Sequence, residues 1–495
     1  MRIAIIGQPV RSALQIALAR HWKDTLGAEL SLYAGSAQAL EGYRTRAPGL
    51  FDRMVVAPSP YFAGEPDPQA DRVDDETIVA RALDYERRFG VPLNWLMAVD
   101  RVHGLGYSPG GFYFPRSYGE TRVSHVDVLR GYIAMFEFWD RELAEQKFDV
   151  LINGYNFEYF PCLANATPMR TLTSARNGNF YFWSHNCFGE IDGLDRAYLG
   201  TPATAAELPD VGTELKDAPT LNRKQLDALR RRGRLISLVS RLYRIARNWA
   251  LRQIGPAVKK RYTLSSELRY ALTEWGSMRR LLRGGMPTAA DLADRKYVFY
   301  ALQVEPEQNF QGFSPEYFYQ QSAIISLSRD LPPDTVLAVK EHIPAMNRRP
   351  KQFYAQLRLL KNVVLVDPKE DGLTLVKGAR ALATINGTVG QEATVLGIPV
   401  LSFGRRNHYN VVDHVKVITD EAQIAPALRW ALSENFDREA ARVDGARFLS
   451  ALRSLSFDMA DFGYHNREGF DDDAIREATD ALLRSLDRPA ARSSS

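Results

Sequence analysis

The sequence contains little cysteine and no long apolar run. Its 495 residues include two cysteines, Cys162 and Cys187, which are too few for a disulfide framework or a four-cysteine zinc site and fit a reducing compartment. No run of apolar residues is long enough to span a bilayer, so we expect no transmembrane helix. The apolar start at residues 2–7 is too short for a signal peptide and predicts a buried strand, so we expect a cytoplasmic protein.

Several motifs of nucleotide and metal sites are also missing. The sequence has no Walker A loop, no G-x-G-x-x-G after the first strand and no H-E-x-x-H, which disfavours a P-loop NTPase, a standard dinucleotide site and a zinc protease. The D-x-D spacing at Asp471, Asp472 and Asp473 is typical of the acidic start of a last helix. We therefore predict neither a metal site nor a cofactor.

Strand and helix patterns alternate through both halves of the chain. Short β-branched runs separated by helices predict parallel strands with crossover helices, so the expected fold class is α/β, with two Rossmann-like, doubly wound domains facing a cleft and a basic helical insertion. The predicted strands are 2–7, 28–33, 52–57, 149–153, 296–303, 335–341, 362–367, 381–385 and 398–403. The predicted helices are 12–26, 75–89, 124–147, 315–330, 350–360, 372–379 and 388–396.

We place the domain boundaries in polar, proline-containing stretches. Residues 1–202 form the N-terminal domain, 203–290 a connector with a basic helical segment, 291–488 the C-terminal domain, and 489–495 a disordered tail. The last helices of the chain are candidates to pack back on the N-terminal domain. Residues 100–120 are rich in Gly, Tyr, Phe and Pro and predict a long loop of the kind that is often functional.

The basic residues are concentrated in one segment. The net charge is +4, but residues 223–261 hold thirteen Lys or Arg against one acid, Asp227. An apolar stripe at helical spacing, with arginines mostly off it, predicts a basic amphipathic helix. The stripe consists of Leu235, Leu238, Val239, Leu242, Ala246 and Trp249. Such a helix either lies on an anionic inner-membrane surface or packs its stripe on the protein. No recognised module accompanies the charge, so nucleic acid is not an expected partner.

The segment 385–400 is the most informative candidate for a binding site. A predicted strand ends at Ile385, Asn386 and Gly387 form a turn, and Thr388 with Gln391 fits a capping box at the start of a helix. The unpaired N–H groups at a helix start suit a phosphate. Gly387 and Gly390 would let an anion approach the backbone, and Glu392 could accept hydrogen bonds from ribose hydroxyls or interact with the helix dipole. The same pattern also fits a plain strand–turn–helix connection.

Further polar residues follow neighbouring predicted strands. Lys340, Glu341 and His342 end one strand, where Lys340 could neutralise phosphate and His342 could hydrogen-bond a phosphate or protonate a leaving group. Gln303 and Glu307 follow another strand, although an acid there could equally cap a loop. The basic loop after the strand 398–403 could close on a ligand or face solvent, and it holds Arg405, Arg406, His408 and Tyr409.

In the N-terminal half, Glu158 is the preferred acid or base because it closely follows the strand 149–153. A carboxylate or histidine is what a group-transfer reaction needs as a base, and a carboxylate could also act as a nucleophile. Each such residue could instead cap a loop. The other candidates in this half are Asp100, His103, His185 and Glu190.

The second half of the chain resembles the bacterial capsule-polysaccharide biosynthesis proteins, a group that includes the β-Kdo glycosyltransferases. The resemblance covers about residues 297–404, in the order YVFYALQVEPEQ, LPPDTVLAVKEHIP, NVVLVDP and ATINGTVGQEATVLGIPVLSFG. The family pattern reads Lys-Glu-His-Pro, whereas Ile343 stands here before Pro344. The resemblance implies a GT-B fold, with the donor in the C-terminal domain and the acceptor mainly in the N-terminal one.

The resemblance also implies the reaction and its partners. The donor would be a nucleotide sugar, with a CMP-sugar such as CMP-Kdo favoured, and the acceptor a surface polysaccharide or a lipid-linked glycan at the inner membrane. Lys340 and His342 would lie near the phosphate and Asn386–Glu392 near the nucleotide, and Glu341 is also predicted to bind the donor. Two alternatives stay open: a nucleotide-sugar epimerase, and a non-catalytic nucleotide-binding factor in polysaccharide export.

Overall fold

The short apolar stretches of the sequence form two separate sheets in the computed structural model of the protein. The structure describes residues 1–58, 73–97, 124–202, 226–254, 264–305, 313–314, 316, 319–345, 349, 351–463 and 466–487. The chain divides into two units, which are described one at a time. Unit 1 holds the described residues of Met1–Gly104, Val123–Thr201 and Ser450–Ser495, and unit 2 holds those of Pro202–Leu449.

The described strands belong to one sheet in each unit. Those of unit 1 are β1 (Arg2–Ile6), β2 (Glu29–Ala34), β3 (Arg53–Val56), β4 (Val150–Ile152), β5 (Met169–Ser174), β6 (Phe180–Ser184) and the last strand, β13 (Phe457–Asp458). Those of unit 2 are β7 (Lys296–Ala301), β8 (Thr335–Lys340), β9 (Val363–Val366), β10 (Ala381–Thr384), β11 (Val400–Ser402) and β12 (Val415–Val417).

Helices connect most of these strands. The helices of the first half are α1 (Ser12–Leu26), α2 (Ala37–Arg46), α3 (Asp75–Phe89), α4 (Leu93–Met97), α5 (His125–Gln146), α6 (Asn156–Ala164) and α7 (Leu194–Gly200). Those that follow are α8 (Leu235–Ile254), α9 (Leu264–Arg283), α10 (Gln320–Asp330), α11 (Lys351–Leu359), α12 (Gly372–Gly378), α13 (Thr388–Val395), α14 (Ile424–Ala431), α15 (Arg438–Ser454) and α16 (Asp472–Leu486). A further helical stretch covers residues 226–232.

Unit 1 contains a seven-stranded sheet in the order β13-β6-β5-β4-β1-β2-β3. Strands β1 to β5 pair in parallel, and β6 and β13 add antiparallel pairs at one edge. The last helix, α16, packs within this unit, because the indole N–H of Trp22 donates to Thr479 Oγ1 at 3.1 Å and that of Trp183 donates to the carbonyl of Ala478 at 2.8 Å. Asp471 caps α16, so the predicted acidic start of a last helix is confirmed.

Unit 2 contains a six-stranded, wholly parallel sheet in the order β12-β11-β10-β7-β8-β9. Its strands are short and mostly apolar, with the polar residues mainly at the strand ends, as expected for a parallel sheet that is covered on both faces. From β7 the chain proceeds outward through β8 to β9, and it then returns to β10 on the other side of β7. The strand order therefore reverses between β7 and β10, which makes this point the topological switch of the sheet.

The basic segment forms a helical insertion in unit 2. Helices α8 and α9 pack together, and Arg241 of α8 makes an ion pair with the buried Glu274 of α9. Next to these helices, Leu229, Met278 and Leu281 form a small apolar cluster with Ile343, which lies three residues after the end of β8. Of the helices that the structure describes, none combines the length and apolar character needed to cross a membrane.

The expected α/β class is confirmed. Each unit is Rossmann-like and doubly wound, as the two domains of a GT-B fold are, and unit 2 contains a basic helical insertion. Ser124 and Asp127 form a capping box at the start of α5, which is the predicted helix 124–147. The sequence patterns missed β5, β6, β12 and β13. The predicted loop at 100–120, most of the predicted connector after residue 202 and the tail after residue 488 lie outside the described residues.

Candidate functional site

The carboxyl ends of β7 and β10 meet at the topological switch of unit 2. In open α/β sheets, ligands bind in the crevice outside the carboxyl ends of the strands at such a point. Gln303 follows β7 and Asn386 follows β10, so both are placed at this edge by the parallel pairing of Ala381–Ala383 with Val298–Tyr300. The structure thus brings together two of the predicted site residues that lie far apart in the sequence.

Gln303 is held in place through its backbone. The side-chain amide of the fully buried Gln320 accepts from the Gln303 N–H at 2.8 Å and donates to its carbonyl at 3.0 Å. The Gln303 side chain is directed at the end of β10, where its Nε2 donates to Thr384 Oγ1 at 3.4 Å. A Cβ on Gly387 would lie 2.7 Å from that nitrogen, and Gly387 also has a φ of +142°, so this position favours glycine.

The start of α13 differs from the sequence prediction. Gly387 is the N-cap residue and has no side chain with which to cap the helix, so the predicted capping box of Thr388 and Gln391 is wrong. The reason is that Thr388 is already the first helical residue, one position too late to act as the cap, while Gln391 is buried. Thr388 itself is exposed. The N–H groups of the first turn therefore carry the partial positive charge of the helix end without a side-chain cap.

The loop after β11 packs against the same turn. Asn407 Nδ2 donates to the carbonyl of Ile385 at 2.8 Å, and a Cβ on Gly404 would lie 2.1 Å from that carbonyl oxygen. The Tyr409 ring lies against Gly390, where a Cβ would be 2.3 Å from it. The lack of a side chain at Gly390 therefore leaves space for the Tyr409 ring, apart from its predicted role in letting an anion approach the backbone.

The basic residues of this loop have different environments. Arg406 Nη1 lies 3.8 Å from Glu316 Oε2, and the backbone N–H of Arg405 donates to Glu316 Oε1 at 3.4 Å. Arg405 is exposed, His408 is half-buried, and Tyr409 is buried. Whether the loop closes on a ligand therefore stays a prediction.

Lys340 ends β8, between Ala301 of β7 and Val366 of β9 in the parallel register. Burial lowers the pKa of its ammonium group, and nearby carboxylates oppose that effect. These carboxylates belong to Glu341, Asp371, Asp367 and Glu370. The charge of Lys340 is therefore partly balanced within the protein, which weakens its attraction for a phosphate compared with an isolated lysine.

Glu392 lies one turn into α13 and shares an electrostatic neighbour with Lys340. Burial, together with the negative charge of Asp371, raises the pKa of Glu392 to about 7. Asp371 caps α12 by accepting from the Thr374 N–H at 2.9 Å, so its position is fixed. A carboxyl group with such a pKa can change its protonation state near neutral pH, which is a feature often found in functional sites.

Arg349 joins the ends of β7 and β8. Its guanidinium is 1% exposed and pairs with Glu305 and with Glu341, whose Oε2 lies 2.5 Å from Arg349 Nε. It also donates to the carbonyl of Gln303. Burial raises the pKa of Glu305 to about 7, and the two carboxylates outweigh the effect of burial on Arg349 and raise the pKa of the guanidinium. Glu341, which is a predicted donor-binding residue, therefore takes part in a buried ion pair with Arg349.

The same ion pair orients the chain at His342. Glu341 Oε1 accepts from the backbone N–H of His342 at 2.7 Å, and Glu341 Oε2 accepts from Tyr354 Oη at 2.5 Å. His342 is half-buried, and the next residue, Ile343, is buried in the cluster with the helical insertion. Arg349, Gln320 and Asn407, which fix this edge of the sheet, were not found by the sequence patterns.

In unit 1, Glu158 lies buried at the start of α6. Its Oε2 accepts from the backbone N–H of Tyr155 at 2.8 Å, as a helix-capping acid does, and burial raises its pKa to about 7. Gln8, which follows β1, donates to the Tyr155 hydroxyl at 3.2 Å, so the ends of β1 and β4 meet here. Glu158 thus combines a capping role with a pKa suited to a general base near neutral pH.

The other predicted acids and bases are less informative. His185 Nδ1 lies 3.2 Å from Asp192 Oδ1, and Glu190 Oε2 accepts from Asn186 Nδ2 at 2.6 Å. Asp100, His103 and Glu307 lie outside the described residues. Among the described residues, no group of three or more His, Cys, Asp or Glu side chains is placed to hold a metal ion.

Comparison with known proteins gives no match to a protein family and none to a curated protein sequence. Several solved structures align over nearly the whole chain. A UDP-N-acetylglucosamine 2-epimerase from Rickettsia bellii is 11% identical, over 98% of this chain and 96% of that chain, with a TM-score of 0.31. HepE from Anabaena in complex with UDP-glucose is 11% identical, over 98% and 100%, with a TM-score of 0.31.

The glycosyltransferase VinC in complex with dTDP is 10% identical, over 98% of this chain and 100% of that chain, with a TM-score of 0.29.

Replacing Arg349 by methionine should destabilise the protein by about 3–5 kcal/mol, because two buried carboxyl groups lose their shared cation. Urea denaturation measures this change. The matched control is Arg476→Met, which removes a surface pair with Asp473 whose side chains are 61% and 84% exposed, and which should cost less than about 1 kcal/mol. An Arg349→Met protein as stable as this control would contradict the role of the buried ion pair.

Replacing Glu392 by glutamine should change how stability depends on pH. The pKa of Glu392 is about 7 in the folded protein and 4.5 ordinarily, so its contribution to stability is fully present at low pH and is lost as the pH rises through 7. We expect Glu392→Gln to have a higher Tm than the wild type at about pH 8 and no such gain at about pH 5. Thermal unfolding measures both, with the exposed Glu439→Gln as the control. An equal difference at both pH values would refute the assignment.

Proposed function

We propose that the protein is a glycosyltransferase that binds a nucleotide-sugar donor at the topological switch of unit 2. The observation that carries this proposal is the start of α13, which has no side-chain cap and lies beside the Gln303 amide. A phosphate there would accept hydrogen bonds from the first N–H groups of the helix and would be favoured by its dipole. The proposal thus assigns the main attraction for the donor to backbone groups.

The surrounding residues have separate roles in this proposal. Glu392 accepts hydrogen bonds from the ribose, since it lies one turn along the same helix and its half-buried carboxyl group keeps some access to a ligand. Lys340 adds a positive charge that its acidic neighbours moderate. His342, on the loop fixed by Glu341, stabilises or protonates the departing nucleotide. Asn386 and Gly387 shape the turn against Gln303.

The resemblance of residues 297–404 to the capsule-polysaccharide proteins favours a CMP-sugar such as CMP-Kdo as the donor and a polysaccharide or lipid-linked glycan as the acceptor. Glu158 of unit 1 is the proposed general base for the acceptor hydroxyl, because its pKa near 7 allows it to take up a proton at neutral pH. Glu307 stays a predicted donor ligand. We place the reaction in the cytoplasm.

A nucleotide-sugar epimerase is the second candidate function. It is favoured by the cluster of Lys340, Asp371 and Glu392, because a carboxyl group that titrates near neutral pH could move a proton on the sugar of a bound donor. A nucleotide-binding factor without catalysis would need the same helix start and none of this acid–base chemistry.

Substituting Thr388 by aspartate should remove nucleotide binding without unfolding the protein. A carboxylate at the first helical position is favoured by the helix dipole, but it repels phosphate from the same N–H groups. The wild type should be stabilised by roughly 2.7 kcal/mol by a nucleotide at a hundred times its Kd. Thermal shifts with CMP, UDP, GDP and dTDP measure this, with Thr388→Asn as the neutral control. A Thr388→Asp protein that keeps the nucleotide shift, or a wild type that binds none of the four, would overturn the proposal.

Replacing His342 by alanine should lower the rate of donor turnover by about 10²–10⁴-fold while the protein stays folded, because a positioned acid is lost. The assay follows nucleotide release from the donor that binds best, with and without a bacterial glycolipid extract. Release that depends on the extract supports a transferase, and conversion of the donor sugar without it supports an epimerase. Binding without either reaction supports the non-catalytic factor. Wild-type turnover in His342→Ala would contradict the role of this residue.

A further inference from the structure

Helix α8 leaves most of its apolar stripe outside the protein. Leu235, Val239, Tyr243, Ala246 and Ala250 follow one another at intervals of four, four, three and four residues, so they lie on one face of the helix. All five are exposed, with fractions of 59% for Leu235, 57% for Val239 and 65% for Tyr243. We name these five residues, with the adjacent Ile236 at 75% exposure, the α8 strip.

The other side of α8 holds the helix on the protein. Leu238 is buried, and Arg241 reaches the buried Glu274 and stacks on Tyr270, with its Cζ 5.4 Å from the ring centroid. Arg232, before the helix, lies 3.8 Å from the same carboxylate. The α8 strip therefore takes no part in this packing, and the helix does not depend on the strip for its place in the fold.

Charges around the α8 strip narrow the choice of partner. Helix α8 carries four arginines and no acid, and Arg244 and Arg247 lie exposed beside the strip. Tyr243 and Trp249 have the amphipathic rings that are enriched at membrane interfaces. A helix with one apolar face and flanking basic residues is typical of helices that lie flat on an anionic bilayer.

A second copy of the chain fits the α8 strip less well. In a two-fold symmetric contact the same patch meets itself, so Arg244 and Arg247 of both copies would be brought together without an acid on α8 to separate them. Nucleic acid also fits poorly, because the apolar strip would lie where phosphates should bind.

From this arrangement we infer that α8 docks on an anionic lipid bilayer with the α8 strip in the interface and with Arg244 and Arg247 at the headgroups. The docking itself does not depend on any enzymatic activity of the protein. Its use, which is to present unit 2 to a lipid-linked acceptor, rests on the function proposed above. Ile343, the residue after His342, connects the docked insertion to the end of β8 through the cluster with Leu229, Met278 and Leu281.

The test is co-sedimentation of the full-length protein with vesicles of phosphatidylcholine, alone or mixed with phosphatidylglycerol. The wild type should bind the mixed vesicles, less so as salt is added, and should not bind phosphatidylcholine alone. Arg244→Gln/Arg247→Gln should weaken binding by about 30-fold, since each basic residue near the surface contributes about a fivefold effect. Leu235→Ser/Val239→Ser/Tyr243→Ser should weaken it at least as much.

The matched control is Leu199→Ser/Leu359→Ser, which changes leucines that are 74% and 72% exposed elsewhere on the chain and should bind vesicles like the wild type. A wild type that fails to bind mixed vesicles at low salt overturns the inference. So does a strip variant that keeps binding, or one that converts a wild-type dimer into a monomer in light scattering, since the strip would then be covered by a second copy. The nucleotide thermal shift of the strip variant should be unchanged, so a failure of vesicle binding is distinguished from a failure of the proposed function.

Discussion

Arg349 lies buried between Glu305, after β7, and Glu341, after β8, and the arrangement of this edge of unit 2 depends on that contact. The same guanidinium also donates to the Gln303 carbonyl. One side chain therefore links three residues that follow the strands and that the parallel sheet alone would not hold together. A buried ion pair of this kind contributes little net stability compared with apolar packing, but it is specific in geometry. The main contribution of Arg349 is therefore to hold Gln303 and His342 in position.

The strands of unit 2 were predictable because a parallel sheet buries both faces, and its strands then appear as short continuous apolar runs. The sequence patterns missed β5, which mixes polar and apolar residues, and β12 and β13, which are only three and two residues long. They also missed β6, although its residues 180–183 form a short apolar run. The capping box at Thr388 was predicted wrongly because residue types at the correct spacing do not reveal which residue has the helical backbone. Gly387, with its positive φ, takes the cap position instead.

The candidate site was predictable only where it follows the ends of strands. Gln303, Lys340 and Asn386 could be identified in this way, since the topology of the sheet brings such residues to one edge. Gln320, Arg349 and Asn407 act through contacts with backbone groups that are distant in the sequence, and no local pattern marks them. The acidic surroundings of Lys340 likewise arise from Asp367 and Asp371, which precede or begin a different helix.

Ile343, which stands between His342 and Pro344, has a clear structural role. Ile343 packs in the apolar cluster beside the helical insertion, so the loop after β8 and the insertion form one packed module. A shortened chain that lacked residues 226–283 would leave Ile343 exposed, and a chain without Ile343 would leave the helices without their apolar contact at the sheet. We therefore expect the helical insertion and the loop that holds Ile343 to be gained, lost or exchanged together when the protein diverges or is redesigned.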